Sequence, residues 1–357
     1  MSMDKVYING KFTSQKMTGV QRYAAEITGQ LLPQGNSRLV VPPDNLLQQV
    51  YQLQPAEVAG TKGGVYWEQV QLPAYLRNKR KPLLLNLCNI APLLYGNKIT
   101  CVHDVSYALN PQFYSKGFYY YYKLMMPRII KGSRHIVTVS NFSKEALMRL
   151  YKLPDSGVTV IPNAASRALD AIAAGKTLQP PIDRPYFLFV GSMDPRKNLL
   201  LLLEAYVQAG ISNVDLLIVG GKFRAFSEKN AGEMEQYQQN PQIHFYGAAT
   251  DEVLAACYQH AQALVIPSLY EGFGLPLVEA FKFGCPVLAS DIPVFREVAE
   301  THATYFDPYN KNAFVEVLRA AAGSVKPNML AASEFVARKY SWEKSGKMMR
   351  QLLERYS

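Results

Sequence analysis

Cysteine is scarce in this 357-residue sequence, which has four and no C-x-x-C pair. Each cysteine lies in an apolar segment, so we expect reduced core residues of a cytoplasmic protein. The five histidines show no H-x-x-x-H-like spacing, which argues against a zinc site. No uncharged apolar run approaches the roughly 20 residues that span a bilayer, and Met1–Gly10 lacks a signal-peptide stretch. We therefore expect neither a membrane span nor secretion.

Several nucleotide and hydrolase motifs are also absent. No G-x-x-x-x-G-K-[ST] sequence occurs, which excludes a P-loop nucleotidase, and no G-x-S-x-G elbow of a hydrolase occurs. The only G-x-G is Gly272-Phe273-Gly274, which lacks the third glycine of a dinucleotide-binding fingerprint. No two aspartates are separated by one residue, so the D-x-D type of metal–diphosphate clamp is missing. The sequence therefore predicts no metal ligand.

Positive charge is concentrated in the first half of the chain. The formal net charge is +10, with +12 in residues 1–180 and −2 in residues 181–357. This asymmetry suggests different partners for the two halves. An ordinary basic surface, nucleic acid, an anionic membrane and a phosphorylated substrate all fit it, and charge alone does not choose among them.

Short apolar runs alternate with helical stretches in both halves. Continuous apolar runs such as Tyr186–Val190 are typical of parallel strands covered by helices on both faces. The Ala- and Pro-rich stretch 162–185 interrupts this alternation and is typical of an interdomain linker. The pattern predicts an α/β fold of two doubly wound parallel-sheet domains facing a central cleft. Ligands of such sheets bind at the carboxyl ends of the strands.

One charged loop follows the predicted strand Tyr186–Val190. There Arg196 and Lys197 lie just before a predicted helix, at its positive dipole end. Two cations repel each other in that place unless an anion lies among them. Both a surface ion pair and a bound diphosphate satisfy this requirement.

A second loop follows the predicted strand Ala263–Ile266. Its glycines, Gly272 and Gly274, allow backbone N–H groups to approach a ligand closely. Pro276 suits the first turn of a helix, and we expect Leu275 to lie just outside that helix.

Two carboxylates eight positions apart frame this second loop. Glu271 is predicted in the loop and Glu279 one turn inside the helix. They are spaced to reach different hydroxyls of one polar ligand. An ordinary acid near a helix N-terminus explains Glu279 equally well.

These loops resemble the motifs of a known enzyme family. Glu271–Glu279 resembles the E-x₇-E motif of the family-4 retaining glycosyltransferases, which have the GT-B fold, and Gly191–Asn198 resembles their Arg/Lys phosphate loop. Further segments resemble the family in the same order: Thr18–Tyr23, Val102–Asp104, Val139–Ser143 and Val160–Asn163. The chain departs from the pattern at Thr18 and Ala164, where many members have glycine. We expect neither change to abolish function.

The resemblance implies a role for each matching residue. Arg196 and Lys197 would neutralise the leaving nucleoside diphosphate in place of a metal. Glu279 would bind the ribose, Glu271 the sugar hydroxyls, and His103 the sugar near its reacting carbon. The implied catalytic residues are His103, Glu271, Arg196 and Lys197. The implied donor-binding residues are Gly19, Gly191, Ser192, Gly272, Phe273, Gly274, Leu275 and Glu279.

The resemblance also implies an organisation into four segments. These are an N-terminal acceptor-side Rossmann-like domain (1–165), a linker (166–185), a C-terminal nucleotide-sugar-binding domain (186–340), and a terminal helix (341–357) that packs back on the first domain.

The segments TGVQRYAAEI, YWEQVQLP and VHDVSY are similar to bacterial surface-polysaccharide mannosyltransferases. That similarity implies retaining transfer of a hexose, best assigned as mannose from GDP-mannose, to a lipid-diphosphate-linked glycan in lipopolysaccharide O-antigen synthesis. It implies no cofactor beyond this co-substrate and no metal.

The aromatic run Phe113–Tyr122 and the basic first half indicate a cytoplasmic protein at the inner face of an anionic membrane. An aromatic helix packed inside the domain explains the run equally well. Three other functions each fit part of the sequence. A nucleic-acid-binding protein explains the charge but not the paired acids, a sugar-nucleotide epimerase shares the architecture, and an NAD-dependent oxidoreductase lacks its third glycine.

Overall fold

The computed structural model of the chain describes residues 6–46, 53–173, 178–221 and 231–356. The chain forms two compact units, one of Met1–Asn163 with Tyr340–Ser357 and the other of Ala164–Lys339. Each unit is built on one sheet in which all described strand pairs are parallel. The predicted α/β fold of two parallel-sheet domains is confirmed.

The strands of the first unit are β1 (Val6–Asn9), β2 (Ser37–Val41), β3 (Ala56–Val58), β4 (Leu84–Asn86), β5 (Lys98–Cys101), β6 (His135–Thr138) and β7 (Val158–Val160). Those of the second unit are β8 (Tyr186–Val190), β9 (Asp215–Val219), β10 (Ile243–Gly247), β11 (Ala263–Ile266), β12 (Val287–Ser290) and β13 (Thr304–Phe306).

The helices up to the second unit are α1 (Gly19–Leu31), α2 (Gly64–Tyr66), α3 (Leu72–Asn78), α4 (Ser106–Leu109), α5 (Lys116–Lys131) and α6 (Asn141–Tyr151). Those that follow are α7 (Arg167–Ala173), α8 (Leu199–Ala209), α9 (Ala231–Gln238), α10 (Asp251–His260), α11 (Leu275–Lys282), α12 (Pro293–Ala299), α13 (Lys311–Gly323), α14 (Leu330–Lys339) and α15 (Trp342–Glu354).

Strand order reverses once near the middle of each sheet. The first sheet runs β3-β2-β1-β4-β5-β6-β7 and the second runs β10-β9-β8-β11-β12-β13. In the first sheet, successive strands are added from β1 towards β3 and, on the other side, from β4 towards β7. In the second sheet they are added from β8 towards β10 and, on the other side, from β11 towards β13. In doubly wound sheets this reversal opens a crevice at the carboxyl ends of the two strands, where ligands bind.

A large core cluster of the second unit lies between its sheet and the helices α8 and α13, which pack against each other. Phe187 and Leu216 of adjacent strands pack in one cluster with Leu202 of α8 and Phe314 of α13, and all four side chains are buried. Each such side chain stabilises the fold by about 1.5–3 kcal/mol relative to exposure to water. The β8 and β11 ends are therefore held on a rigid scaffold.

Helix α15, at the end of the chain, belongs to the first unit. The Ser341 side chain caps it by accepting a hydrogen bond from the Lys344 amide. Its buried Trp342 meets the Tyr23 ring of α1 edge to face, with centroids 5.9 Å apart. The Ser345 hydroxyl donates to the Pro162 carbonyl at 2.8 Å. These contacts fix α15 against the start of the chain.

The stretch 166–185, predicted as a linker, contains regular structure. Arg167–Ala173 forms α7, whose Leu169 is buried, and α7 packs against α10. The alanine-rich run favours helix more than its neighbouring prolines suggest. Residues 174–177 of this predicted linker lie outside the described part of the chain.

Candidate active site

The loops after β8 and β11 form one structure at the carboxyl ends of these adjacent strands. The backbone amide of Leu269, after β11, donates to the carbonyl of Arg196, after β8, at 2.8 Å. This bond links two loops that are far apart in the sequence. Charged side chains predicted from separate loops therefore share one crevice in the second unit.

The first of these loops makes a tight turn. Asp194 caps the 3₁₀ turn Pro195–Lys197, because its carboxylate accepts from the Arg196 amide at 3.1 Å and from Arg196 Nε at 2.9 Å. Asn198 then adopts a left-handed conformation and α8 begins at Leu199. Asp194 thus orients the Arg196 guanidinium. Sequence reasoning missed this residue.

Lys197 and Glu271 form a buried ion pair across the two loops. Lys197 Nζ donates to Glu271 Oε1, and the side chains are only 14% and 10% exposed. The Ser268 hydroxyl donates to the same oxygen at 3.0 Å. Burial alone would raise the pKa of Glu271, but the charges of Lys197 and Arg196 outweigh it and lower that pKa. Glu271 is therefore an ionised group that only accepts hydrogen bonds.

Both cations of the first loop thus have carboxylate partners from the protein. Ion pairs, one of the two explanations raised by the sequence, are formed by both cations. The Lys197–Glu271 pair is the more shielded from solvent, with side chains 14% and 10% exposed, whereas those of Arg196 and Asp194 are 21% and 23% exposed. A buried pair of this kind is costly to desolvate and is weak evidence of a stabilising role.

Glu279 lies inside α11 and is buried, with 4% of its surface exposed. The buried Tyr258 hydroxyl, from α10, donates to Glu279 Oε2 at 3.0 Å. An ordinary acid at a helix N-terminus would be solvated, so this environment disfavours that explanation. Tyr258 was missed by sequence reasoning, since nothing local links positions 258 and 279.

The glycine loop leads directly into α11. Gly274 has a φ of +95°, and a Cβ there would lie 2.7 Å from the Phe295 ring, so the position demands glycine. Gly272 and Phe273 are buried beside it. Leu275 was predicted outside the helix, and that prediction is wrong: α11 begins at Leu275, with Pro276 in its first turn. Gly274, in the left-handed conformation, is the N-cap, so the helix boundary lies one residue earlier than expected.

Gly191 and Ser192 follow β8 directly. The Gly191 amide donates to the Val219 carbonyl at 3.0 Å, and Ser192 is exposed. Gly220, after β9, has a φ of +124°, and a Cβ there would lie 2.1 Å from the Gly191 carbonyl oxygen. Gly220 therefore sets the path of the Gly191 loop. The sequence signal for Gly220 is a glycine pair directly after the apolar run Leu216–Val219.

His103, from the first unit, is buried two residues after β5. Its Nε2 lies 2.9 Å from the Leu87 carbonyl oxygen, which only accepts, so Nε2 carries a proton. Burial lowers the pKa of His103, although the Leu87 carbonyl and Asp104 act in the opposite direction. The ring is therefore neutral at pH 7, and its Nδ1 is an acceptor.

Gly19, also from the first unit, is the exposed first residue of α1, and Thr18 precedes it as the N-cap. The second unit brings together the other predicted site residues: Gly191, Ser192, Arg196, Lys197, Glu271, Gly272, Phe273, Gly274, Leu275 and Glu279. Among the residues that the structure describes, no group of three or more His, Cys, Asp or Glu side chains is arranged to hold a metal.

Comparison with known proteins bears on the identity of this chain. Residues 17–167 match the family model of Glycosyltransferase Family 4, and residues 175–324 match that of Glycosyl transferases group 1. The O-antigen chain mannosyltransferase RfbU of Salmonella typhimurium is 27% identical over 256 residues, which cover 71% of this chain and 68% of the relative. The O-antigen chain mannosyltransferase B of Escherichia coli is 28% identical over 260 residues, which cover 69% and 67%.

Solved structures agree on the fold. Anabaena HepE, crystallised with UDP and glucose, superposes with a TM-score of 0.75 at 16% identity over 99% of this chain and 100% of its own. Two consecutive family models and two parallel-sheet units thus lead to the same assignment. The chain belongs to the family-4 glycosyltransferases and has their GT-B fold.

Proposed function

We propose that the protein transfers mannose from GDP-mannose, with retention of configuration and without a metal, to a lipid-diphosphate-linked glycan of a bacterial surface polysaccharide. The observation that carries this proposal is the Arg196, Lys197 and Glu271 cluster at the β8/β11 strand reversal. It supplies fixed positive charge and an ionised acceptor at the point where ligands of such sheets bind.

The diphosphate is the charged part of the donor, and its charge grows as the sugar leaves. Arg196 is oriented by Asp194 and Lys197 by Glu271, so both cations are held in place before the reaction. Charge-assisted hydrogen bonds of this type contribute about 1.5–3 kcal/mol each. Backbone N–H groups of the loop 272–275 add donors at the start of α11. In this proposal, these fixed groups stabilise the negative charge of the leaving diphosphate in place of a divalent cation.

The carboxylates hold the neutral parts of the donor. Glu271 accepts hydrogen bonds from sugar hydroxyls, and Glu279, with one oxygen held by Tyr258, accepts from the ribose. In the first unit, the His103 ring presents its Nδ1 as an acceptor suited to a hydroxyl donor. Gly191 and Ser192, in the loop after β8, line the approach of the phosphates.

The transfer proceeds on one face of the sugar. The bond from the anomeric carbon to the phosphate oxygen breaks while the acceptor oxygen bonds to the same face of that carbon. The acceptor hydroxyl proton passes to the departing phosphate oxygen, so no protein base is required. Mannose is assigned because the relatives RfbU and mannosyltransferase B are named as O-antigen chain mannosyltransferases.

The donor assignment is tested by thermal unfolding with GDP, UDP, dTDP and ADP, each with and without EDTA. GDP at 100 times its Kd should stabilise the protein by about 2.7 kcal/mol, because it binds only the folded state. The shift should persist in EDTA.

Each other outcome overturns a defined part of the proposal. A shift with another nucleotide alone overturns GDP, and a shift lost in EDTA overturns metal independence. No shift with any of the four overturns the diphosphate site. Consumption of GDP-mannose to an epimer without an acceptor would make the protein an epimerase.

We further propose that α5 rests on the cytoplasmic face of an anionic membrane. Met126 and Ile129 of this helix pack into the first unit, while Tyr120 (62% exposed) and Leu124 (56%) face solvent. The exposed face also carries basic residues: Lys116, Lys123, Arg128 and Lys131. Within the described residues, no helix is both long and apolar enough to cross a bilayer.

Sedimentation with vesicles tests this contact. Binding should rise with the fraction of anionic lipid and fall about tenfold in a Tyr120→Ser/Leu124→Ser variant, since each basic residue near the surface contributes about 1 kcal/mol and the apolar pair anchors them. Tyr246, which is exposed in the second unit, supplies a Tyr246→Ser control that should bind normally. Sedimentation that ignores anionic lipid would contradict the contact.

A further inference from the structure

Glu68 is a buried carboxylate for which the proposed function has no role. It lies in the π-helical turn Trp67–Gln71 between α2 and α3, with 5% of its surface exposed. Asn9, at the end of β1, donates from Nδ2 to Glu68 Oε1 at 3.0 Å and to Asn86 Oδ1, at the end of β4, at 2.9 Å. π-Helical turns are rare and are frequent at functional sites.

The position of this cluster is that of a ligand site. Asn9 and Asn86 end β1 and β4, the strand pair at which the order of the first sheet reverses. The crevice outside such a pair is where doubly wound sheets bind ligands. The first unit therefore has its own polar cluster at the position equivalent to that of Lys197 and Glu271 in the second unit.

The cluster does not need a charge to hold the fold together. The Asn9–Asn86 bond already joins β1 to β4, and Asn86 Nδ2 also donates to the Ile99 carbonyl at 3.3 Å. Within the described residues Glu68 forms no ion pair, and its Oε2 accepts no hydrogen bond. A buried carboxylate without a cation is costly, and a neutral side chain would fill this place at less cost.

The environment of Glu68 acts on its ionisation, and Glu68 acts on that of its neighbours. Burial raises the pKa of Glu68, while Asn9 and Lys11 act in the opposite direction. Burial is the main cause of the raised pKa of the Cys88 thiol and of the Tyr121 hydroxyl, and the negative charge of Glu68 adds to both shifts. Tyr121 is 37% exposed, whereas Glu68 is 5% exposed.

We propose that Glu68 binds hydroxyls of a neutral sugar at the non-reducing end of the acceptor, with Oε2 as the acceptor of their hydrogen bonds. The proposal rests on the function proposed above. A carboxylate pairs with hydroxyl donors, whereas a phosphate offers it like charge and no donor, so Glu68 also keeps the acceptor's diphosphate out of this pocket. Glu68 thereby selects which end of a lipid-linked glycan enters.

Calorimetric titration of octyl α-mannoside, a neutral sugar on a short chain, tests the proposal. Glu68→Gln keeps the oxygen that Asn9 contacts and removes the charge. We expect at least tenfold weaker octyl α-mannoside binding, unchanged GDP binding and an unfolding midpoint within a few degrees of that of the wild type. In transfer assays the same variant should raise KM for the acceptor and leave KM for the donor unchanged.

Glu57→Gln is the matched control. Glu57 is a partly buried carboxylate of the same sheet, paired with Arg38 at 2.6 Å and with Tyr75. Its loss should change stability but not octyl α-mannoside affinity, because Glu57 is on the edge strand β3.

Equal octyl α-mannoside affinity in wild type and Glu68→Gln, or no binding by the wild type, would overturn the proposal. Should Glu68→Gln not fold, hydrogen exchange of the wild type decides, since octyl α-mannoside must protect the segment 64–71. If octyl α-mannoside binding contradicts the proposal while GDP still stabilises the protein, only the acceptor role of Glu68 is rejected. If GDP does not stabilise the protein while octyl α-mannoside binds as expected, only the proposed donor site is rejected.

Discussion

Lys197→Ala is expected to lower kcat for sugar transfer by about 10²–10³-fold, the usual loss when one preorganised group that stabilises developing charge is removed. Lys197 is held by the buried Glu271 carboxylate and has little freedom to move. Its charge is therefore aimed before the diphosphate departs. Water admitted by the truncated side chain reorients with the reaction and replaces that charge poorly. Steady-state assays at saturating donor measure the loss.

The same substitution has a stability cost that separates two roles of the ion pair. Lys197→Ala leaves the Glu271 carboxylate buried without its main partner, and breaking a buried pair in this way costs about 3–5 kcal/mol. Glu271→Ala should lower the free energy of unfolding by a similar amount, because it leaves the Lys197 ammonium group without its carboxylate partner. The double variant should recover most of this stability in urea denaturation while transfer stays lost. If the pair served only the fold, activity would recover together with stability.

An exposed pair in the same unit supplies the control. Lys311 Nζ lies 3.1 Å from Glu204 Oε2, and both side chains are about two-fifths exposed. Lys311→Ala should change the free energy of unfolding by less than about 1 kcal/mol and leave transfer unchanged. Transfer by Lys197→Ala at the rate of Lys311→Ala would show that the diphosphate lies elsewhere.

The strands that position this site were predictable because their signal is local. The runs Tyr186–Val190 and Ala263–Ile266 form β8 and β11 with the predicted bounds. Both runs are continuously apolar, since helices cover both faces of the sheet. A parallel connection in turn requires that the loops after these strands lie at one edge. Local pattern and topology together were sufficient to bring Arg196 and Glu271 to the same end of one sheet.

The partners within the site were not predictable in the same way. Tyr258 and Glu279 come from different helices, and Asn9, Glu68 and Asn86 come from three separate elements. Their hydrogen bonds depend on the angles at which helices cross the sheet, which hydrophobic periodicity does not encode. Sequence patterns therefore identified the charged loops but not the groups that hold them.

Backbone geometry was the other limit. The rule that a residue before proline avoids the helix placed Leu275 outside α11, whereas Gly274 makes the turn one residue earlier. Left-handed conformations are not visible in a sequence unless the glycine is recognised as required. Gly220, with a φ of +124°, is a second glycine of this kind, and its substitution is expected to have a large effect on stability.

Gly220→Ala should lower the free energy of unfolding of the second unit by about 4 kcal/mol or more. Single substitutions reach this size only through a few mechanisms, and a clash with the backbone is one of them. The new Cβ would lie 2.1 Å from the Gly191 carbonyl oxygen, and neither backbone yields easily because the Gly220 amide is bonded to the Gly247 carbonyl at 2.7 Å. The Gly191 loop must therefore shift, and nucleotide binding should weaken along with the fold.

Gly210→Ala separates the clash from the cost of a left-handed residue. Gly210 ends α8 with a φ of +63°, and a Cβ there meets nothing within 4 Å. Its substitution should cost only about 1–2 kcal/mol, the usual price of this conformation for alanine. Urea denaturation of both variants, with GDP titrated into each that folds, measures the difference. Equal losses of unfolding free energy at the two positions would mean that the Gly191 loop shifts without strain and that Gly220 does not set its path.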